Sequence, residues 1–400
     1  MINKFPSISE TFVTNHILQA KLHGYKVIVM TNIKLGLNNS SQKSLLSQHS
    51  ILEKTYEVDY KIPKSKIKRR IKAFFLIIKF FKFWVRFKGG NTRKLFSTIP
   101  FKLGFYHQFK SISVFHVQFA KSGLELAKMK SVGLLKGKII TTFHGYDAHF
   151  KDDKGLSQLK QRYDLLFKMS ESLTVNTIYL RDKVIALGGN PNGIKVIPMG
   201  IDLHFFEAQK EKFFSDNSVV NLVSIGRLVS LKGFEYAINS VKVIVDKGYD
   251  VLYTIVGDGE EKDRLQQLIY DLELSNKVFL VGAKNQQEIK DLLEANHIFL
   301  MSSITDETNR SEAQGVVTAE AQAMGLPIVA FRNGGVPYTI DEGKTGVLVK
   351  EKDVEAYAEG IIKLIESPDL YVNMSKNAKE FVSENFCRET LSELFFKLYD

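Results

Sequence analysis

Glu312 and Glu320 lie eight residues apart in Glu312-Ala-Gln-Gly-Val-Val-Thr-Ala-Glu320, which runs on into Ala321-Gln-Ala-Met-Gly-Leu-Pro-Ile-Val-Ala330. On one continuous helix, eight steps of about 100° would set the two carboxylates roughly 80° apart, off a common face. The spacing makes better chemical sense with Glu312 in a loop and Glu320 two turns inside the helix that follows. Gly315 and Val316 then stand at the helix start, where free backbone N–H groups hold a phosphate. Such a layout offers one acid to each end of a sugar nucleotide, with the diphosphate between them.

Gly226-Arg227-Leu-Val-Ser-Leu-Lys232-Gly233 follows an apolar run ending at Ile225. Arg227 and Lys232 can converge on one ligand across a strand-to-helix loop. Two fixed cations suit a departing nucleoside diphosphate, which gains negative charge as a glycosidic bond breaks. A solvated loop with two ordinary bases is the plain alternative, and the Glu312–Glu320 stretch farther on weighs against it. His144 and Asp147 occur in Thr141-Thr-Phe-His144-Gly-Tyr-Asp147, at the carboxyl end of another apolar run, where ligands of α/β sheets collect. His144 can donate a hydrogen bond to a sugar, and Asp147 can orient the sugar or its acceptor. His116 is a weaker candidate, and either histidine has a structural reading. Ser7, Ser9, Glu10 and Thr11 form a capping-box pattern at a helix start, where an acceptor hydroxyl or phosphate fits as well as a plain cap does.

These residues need a scaffold of alternating strands and helices, and the chain supplies the pattern. Short Val/Ile-rich runs predict strands at Lys26–Thr31, Ile112–Val117, Lys138–His144, Ser172–Asn176 and Ile194–Ile197. A second series follows at Val219–Ile225, Val251–Val256, Lys277–Val281, His297–Met301, Pro327–Ala330 and Gly346–Val349. The intervening segments have helix length, which is the rhythm of parallel sheets covered on both faces. The two series meet near Pro198-Met-Gly-Ile-Asp202, and the polar stretch 203–218 reads as a hinge. Only Met1 to Phe5 precedes the first helix signal, so the chain is expected to start inside or after its natural first strand.

With 400 residues, 44% hydrophobic and 25% charged, the chain has the makeup of a soluble two-domain protein. Its one cysteine, Cys387, allows no internal disulfide and points to a reducing, cytoplasmic setting. The net charge of +11 is concentrated in residues 61–110, which hold 15 Lys/Arg and no Asp or Glu. The rest of the chain carries 40 bases against 44 acids. Within this segment, KAFFLIIKFFKFWVRFK places a narrow basic stripe, Arg69, Lys72, Lys79, Lys82 and Arg86, on an aromatic-rich helix. That pattern suits an anionic bilayer surface; a helix packed on its own domain is the alternative. The clustered aromatics disfavour nucleic acid.

No Gly-x-Gly-x-x-Gly follows a strand, which disfavours a nicotinamide dehydrogenase. Gly343-Lys-Thr345 looks like a phosphate-loop tail, but Tyr338 stands where the first glycine belongs. There is no Asp-x-Asp and no Cys/His cluster, so a catalytic metal has no obvious ligands.

Together these residues resemble retaining glycosyltransferases of family 4, with the GT-B fold. The opening Phe5-Pro-Ser-Ile-Ser9-Glu10-Thr11-Phe12 is similar to bacterial exopolysaccharide enzymes of the colanic-acid type. The resemblance is near complete over Gly226–Gly233, Gly257-Asp-Gly259, Glu312–Glu320 and Gly334–Val349, and patchier before residue 200. It implies an α/β architecture of two Rossmann-like domains whose parallel sheets face across a cleft. Residues 1–200 would bind the acceptor and 201–387 the donor, while the helix in 388–400 would cross back to the first domain. It further implies that Arg227 and Lys232 bind the donor diphosphate, Glu320 its ribose and Glu312 its sugar, with His144 at the reaction centre. The reaction would retain anomeric configuration, use no metal or other cofactor, and consume a nucleotide-diphosphate sugar as co-substrate. The expected acceptor is a lipid-linked glycan at the inner face of the cytoplasmic membrane. An epimerase-like enzyme of the same fold and a non-catalytic membrane scaffold are the alternatives. One departure stands out: the family's Gly-Gly-x-Pro-Glu reads Gly334-Gly-Val-Pro-Tyr338 here, a phenol in place of a carboxylate.

Overall fold

In the computed structural model the chain forms two lobes, described for residues 1–7, 10–40, 42–87, 92–209, 211–213 and 219–400. The N-terminal lobe holds β1 (Ile2–Phe5), β2 (Val29–Lys34), β3 (Thr55–Glu57), β4 (Val114–Gln118), β5 (Lys138–Phe143), β6 (Ser172–Val175) and β7 (Ile194–Val196). They pair in the orders β1-β2-β3 and β4-β5-β6-β7. Met1 bridges the two sheets. Its carbonyl accepts from the Gln118 N–H at 2.8 Å, and its amino group donates to the His116 carbonyl at 2.5 Å.

The C-terminal lobe holds β8 (Val220–Ile225), β9 (Val251–Val256), β10 (Val278–Leu280), β11 (Ile298–Met301), β12 (Ile328–Phe331) and β13 (Gly346–Val349). All pairings are parallel, in the order β10-β9-β8-β11-β12-β13. The strands are apolar throughout because both faces are covered. Leu222, Ile298, Leu300, Val329 and Phe331 join a core under the helices Phe234–Asp246 and Val354–Ile365. Their neighbours Val223, Phe299, Met301, Ile328 and Ala330 enter a second core on the opposite face. The strand order reverses between β8 and β11, so the loops leaving these strands diverge and open a crevice.

Glycines bring the loops of this crevice into backbone contact. Gly257 has φ +145, and a Cβ there would overlap the Gly226 carbonyl oxygen. The contact is zipped by Gly226 N–H to Val256 O at 2.9 Å and Leu228 N–H to Asp258 O at 3.0 Å. The chain then crosses between the lobes a second time. Ile201 N–H donates to Phe386 O at 2.9 Å and Arg388 N–H to Ile201 O at 3.1 Å, with Arg388 paired to Asp202 at 2.9 Å. The last helix, Arg388–Tyr399, lies on the first, Thr11–Leu22, where the Tyr399 hydroxyl reaches His16 Nε2 at 2.7 Å.

Several local expectations change. The strand Thr55–Glu57 sits in a polar stretch without a clear pattern. The capping box does not form: Glu10 is itself the N-cap residue, with no side-chain cap bond. Over 203–218, where the hinge is expected, residues 210 and 214–218 lie outside the described ones, and Phe206 and Lys212 among the rest are packed on the second lobe. Phe206 is buried, and the Lys212 ammonium donates to the carbonyls of Leu293 and Asn296, beside the C-terminal end of the Gln286–Ala295 helix. In the basic segment, the helix Lys66–Lys79 stops at Phe80 (φ −114) and resumes as Phe81–Trp84. Ala73 and Phe80 are buried, while Ile67, Ile71, Phe74, Phe75, Ile78, Phe81 and Val85 are all more than half exposed. The aromatic surface is therefore divided between packing and solvent, where the sequence alone had set a basic stripe against a wholly apolar remainder.

Replacing Gly257 by alanine is expected to destabilise the protein by about 2–4 kcal/mol, because both the backbone conformation and the Gly226 contact must yield. Urea denaturation measures it. A loss under about 0.5 kcal/mol, the range of an ordinary surface change, would contradict the packed loop pair.

Candidate active site

Lys232 and Glu312 form the centre of the site. Lys232 ends the loop after β8, and its side chain folds back along that loop: a Cβ on Gly226 would lie 3.3 Å from the Lys232 Cε. Its ammonium meets Glu312 Oε2 at 2.5 Å, with both side chains less than a fifth exposed. Ser303 adds a longer hydrogen bond to the same oxygen at 3.4 Å. Burial pushes the Glu312 carboxyl up, but the charge and hydrogen bond of Lys232, helped by Ser303 and the Ala313 backbone, outweigh it and hold the group below its ordinary value. Glu312 is thus an anion paired to one cation. Arg227, at the start of the same loop, is exposed, and its side chain has no hydrogen bond or ion pair among the described residues.

The Glu312 loop is fixed from behind. Asn333, 1% exposed, accepts from the Glu312 N–H at 3.0 Å and donates to Thr305 Oγ1 and Glu351 Oε2. Gly334 and Gly335 let this strand end lie directly against the Glu312 and Ala313 backbone, where side chains would collide with carbonyl oxygens. The loop also touches the other lobe. The Thr177 hydroxyl donates to Ala313 O at 2.8 Å. Gln314 pairs with the Met199 backbone, accepting from its N–H at 2.8 Å and donating to its carbonyl at 3.0 Å. Gly145, with φ +109, faces Ala313 so closely that a Cβ would come within 2.6 Å of the alanine Cβ. His144 and Glu312 are therefore on loops that meet across the cleft.

Gly315, in the left-handed conformation at φ +83, turns the chain into the helix Val316–Ala323 and is its N-cap residue. Val316 is the first helical residue, so the N-terminal N–H groups open beside the Lys232–Glu312 pair. Glu320 sits on the fifth residue, little more than one turn in, nearer the start than the sequence suggests. It is half-buried, and its side chain has no hydrogen bond among the described residues. Burial alone pushes its carboxyl up to about 7. An acid held this way gains from any donor hydroxyl that solvates it.

On the N-terminal side the sequence candidates separate. His144 lies between Phe12 and Phe119, each 4.6 Å from its ring, and burial together with the nearby His16 lowers its pKa to about 3. It is a neutral imidazole. Asp147 is 1% exposed, and its two oxygens accept from the backbone N–H groups of Ala120 at 2.8 Å and His144 at 3.0 Å. Burial raises its pKa to about 6, against the pull of these N–H groups. The expected contact of Asp147 with sugar or acceptor is corrected on this geometry: the carboxylate anchors the His144 loop from the inside. His116 belongs to the buried interface with the last helix. Ser9 lies outside the described residues. Thr11 opens its helix, but Phe12, Asn15 and His16 are the residues of that helix that line the cavity beside His144 and the last helix, with Glu10 and Thr11 outside it. Sequence reasoning missed Asn333, Gln314 and Thr177; each is a polar residue next to a recognised motif, where the chemical candidates drew attention instead. Among the described residues, no three His, Cys, Asp or Glu side chains group as a metal site.

Glu320 gives a pH signature. Its carboxyl stays protonated in the folded protein up to about 7, against an ordinary value of 4.5. Between those values the folded state holds a proton that the unfolded chain releases, so stability present below pH 4.5 is lost as pH rises through 7. Glu320→Gln is expected to match the wild type near pH 4 and exceed its stability by on the order of 2 kcal/mol at pH 8.5. Parallel urea-stability curves for the two proteins across this range would remove Glu320 from its buried position.

The family described as "Glycosyl transferases group 1" matches residues 205–381, the lobe that carries Arg227, Lys232, Glu312 and Glu320. The chain is 28% identical to the amylovoran biosynthesis glycosyltransferase AmsK of Erwinia amylovora, over 99% of this chain and 98% of that protein. It is also 28% identical to the capsular polysaccharide biosynthesis glycosyltransferase CapM of Staphylococcus aureus, over 59% of this chain and 61% of that one. In structure it is similar to Anabaena HepE, solved in complex with UDP, with a TM-score of 0.74 at 18% identity and coverage of 99% and 98%. The C-terminal lobe is a group 1 glycosyltransferase domain, and the chain is a glycosyltransferase of the GT-B fold.

Proposed function

We propose that the protein transfers a sugar from a nucleoside-diphosphate sugar to a lipid-linked oligosaccharide during assembly of a surface polysaccharide, retaining configuration at the anomeric carbon and using no metal ion. The carrying observation is the Lys232–Glu312 pair at the N-terminus of the helix that bears Glu320, with the exposed Arg227 on the same loop as Lys232. The relatives AmsK and CapM, named for amylovoran and capsular polysaccharide biosynthesis, support the product class. The complex of HepE with UDP makes a UDP-sugar the first donor to try.

In this reading the diphosphate settles over the N–H groups of Gly315 and Val316 between Arg227 and Lys232. The incoming phosphate draws Lys232, and Glu312 is released toward the sugar hydroxyls. Glu320 accepts from the ribose. The cations neutralise charge on the departing phosphate, which is the task a metal performs in other sites. Glu312, held as an anion by Lys232, supports a same-face attack in which the leaving phosphate takes the acceptor's proton. Arg227→Ala is expected to lower kcat/KM for nucleoside-diphosphate release by at least ~100-fold, about 3 kcal/mol. Full activity in this variant would end the role assigned to it. Release that depends on an acceptor separates transfer from an epimerase or a scaffold, and the anomeric configuration of the product tests retention.

The membrane reading rests on the Lys66–Lys79 helix and its continuation. At 100° per residue, Ile67, Ile71, Phe74, Phe75 and Ile78 fall within about 100° of one another, and Phe81 and Val85 are exposed just past the break at Phe80. Lys66 and Arg70 flank this exposed ridge on one side, and Lys68, Lys72 and Lys79 on the other. No helix among the described residues is long and apolar enough to cross a membrane. An apolar ridge between basic rows instead lies in an anionic bilayer surface, at the inner face of the cytoplasmic membrane. The protein is expected to float with phosphatidylglycerol-containing vesicles, and Phe74→Ser/Phe75→Ser/Ile78→Ser is expected to reduce the bound fraction at least ~10-fold. Equal flotation of both proteins would remove the ridge from the interface.

A further inference from the structure

A line of side-chain hydrogen bonds runs from the last helix to His144. The Tyr399 hydroxyl is 2.7 Å from both His16 Nε2 and His116 Nδ1. His116 Nε2 is 2.6 Å from Thr142 Oγ1 and 3.3 Å from Gln118 Nε2. Gln118 Oε1 is 2.7 Å from His144 Nε2. Burial, reinforced by the neighbouring imidazoles, lowers the pKa of His16 to about 4 and that of His116 well below its ordinary value.

A neutral imidazole carries one N–H, while the hydroxyls of Tyr399 and Thr142 can each donate or accept, so the sense of the line is set at the Gln118 amide. With the Gln118 amide donating to His116 Nε2, the His116 proton is on Nδ1 and goes to Tyr399, whose hydroxyl donates to His16. Gln118 Oε1 then accepts from His144 Nε2–H. The opposite sense would turn the Gln118 amide over and put the His144 proton on Nδ1, a buried atom with no partner among the described residues. A buried N–H without an acceptor is the costlier orphan, compared with an unused lone pair.

We infer that Gln118 is a positioning residue: it holds His144 as the Nε2–H tautomer, so the buried Nδ1 is left as a bare lone pair, able only to accept from a hydroxyl that enters the adjoining cavity. The second half rests on the proposed placement of His144 at the reaction centre. It reverses the sequence expectation, in which His144 donates. Asn176 supports a hydroxyl or water subsite here. It is 2% exposed, neither of its amide atoms has a hydrogen-bond partner among the described residues, and it lines the same cavity of about 50 Å³ as Gln118 and His144. That space is enough for a few waters or the hydroxylated end of a ligand.

Long-range ¹H–¹⁵N spectra of ¹⁵N-histidine-labelled protein decide the tautomer without any substrate, with His144 identified by its loss in His144→Ala. The expected wild-type signature is a protonated Nε2 and a bare Nδ1. Gln118→Leu is expected to shift His144 toward a mixture of tautomers, and Gln118→Glu, which keeps an acceptor at the same place, to restore Nε2–H. A wild-type Nδ1–H, or a tautomer indifferent to Gln118→Leu in protein that still melts cooperatively, would overturn the inference. With UDP-glucose as donor, Gln118→Leu is expected to lower kcat at least ~10-fold with a smaller change in donor KM. The predicted tautomer with unchanged kcat would leave Gln118's hold on His144 standing and refute the placement at the reaction centre.

Discussion

The contact between Lys232 and Glu312 joins the loops that leave β8 and β11, the two strands between which the sheet changes direction. A largely buried ammonium without a counter-charge would be strongly unfavourable. Glu312 supplies that charge, and the contact holds its own carboxyl below its ordinary value. Almost every unusual feature nearby serves the position of Glu312: the Asn333 amide, the bare backbones of Gly334 and Gly335, and the clamps made by Thr177 and Gln314. The last two come from contacts with the other lobe. Ligand geometry in one lobe and closure against the other are therefore set by the same few residues.

The sheet architecture was legible because it rests on periodicity. Strands buried on both faces must be apolar at every position, and the runs at 251–256 and 346–349 match the observed strands residue for residue. The loop position of Glu312 and the helical position of Glu320 were legible for a similar reason, since Gly315 marks the break between them. What could not be read was the direction in which a polar side chain points. Asp147 has the type and setting of a ligand-binding acid, and only the three-dimensional path of Ala120 shows that its oxygens are already committed. The capping pattern at Ser7 failed likewise: Glu10 stands at the N-cap position itself, with no side-chain cap bond. The basic segment was legible in composition but not in phase: the break at Phe80 resets which aromatics face inward.

Charge in the N-terminal lobe is arranged by exclusion. The imidazoles of His16, His116 and His144 are all held neutral by burial, within a few side chains of one another. The same lobe exposes its lysines and arginines along the Lys66–Lys79 helix, away from that interior. A neutral, hydrogen-bonded interior thus lies within a lobe whose exterior is strongly cationic.

The helix Arg388–Tyr399 follows the second lobe in sequence yet completes the first in space, through Tyr399 and its bonds to His16 and His116. A chimaera that exchanged donor lobes at residue 200 would carry a foreign helix into that seat and disturb the imidazole chain beneath it. Modular recombination in this architecture requires two breakpoints, with the terminal helix inherited alongside the lobe it covers.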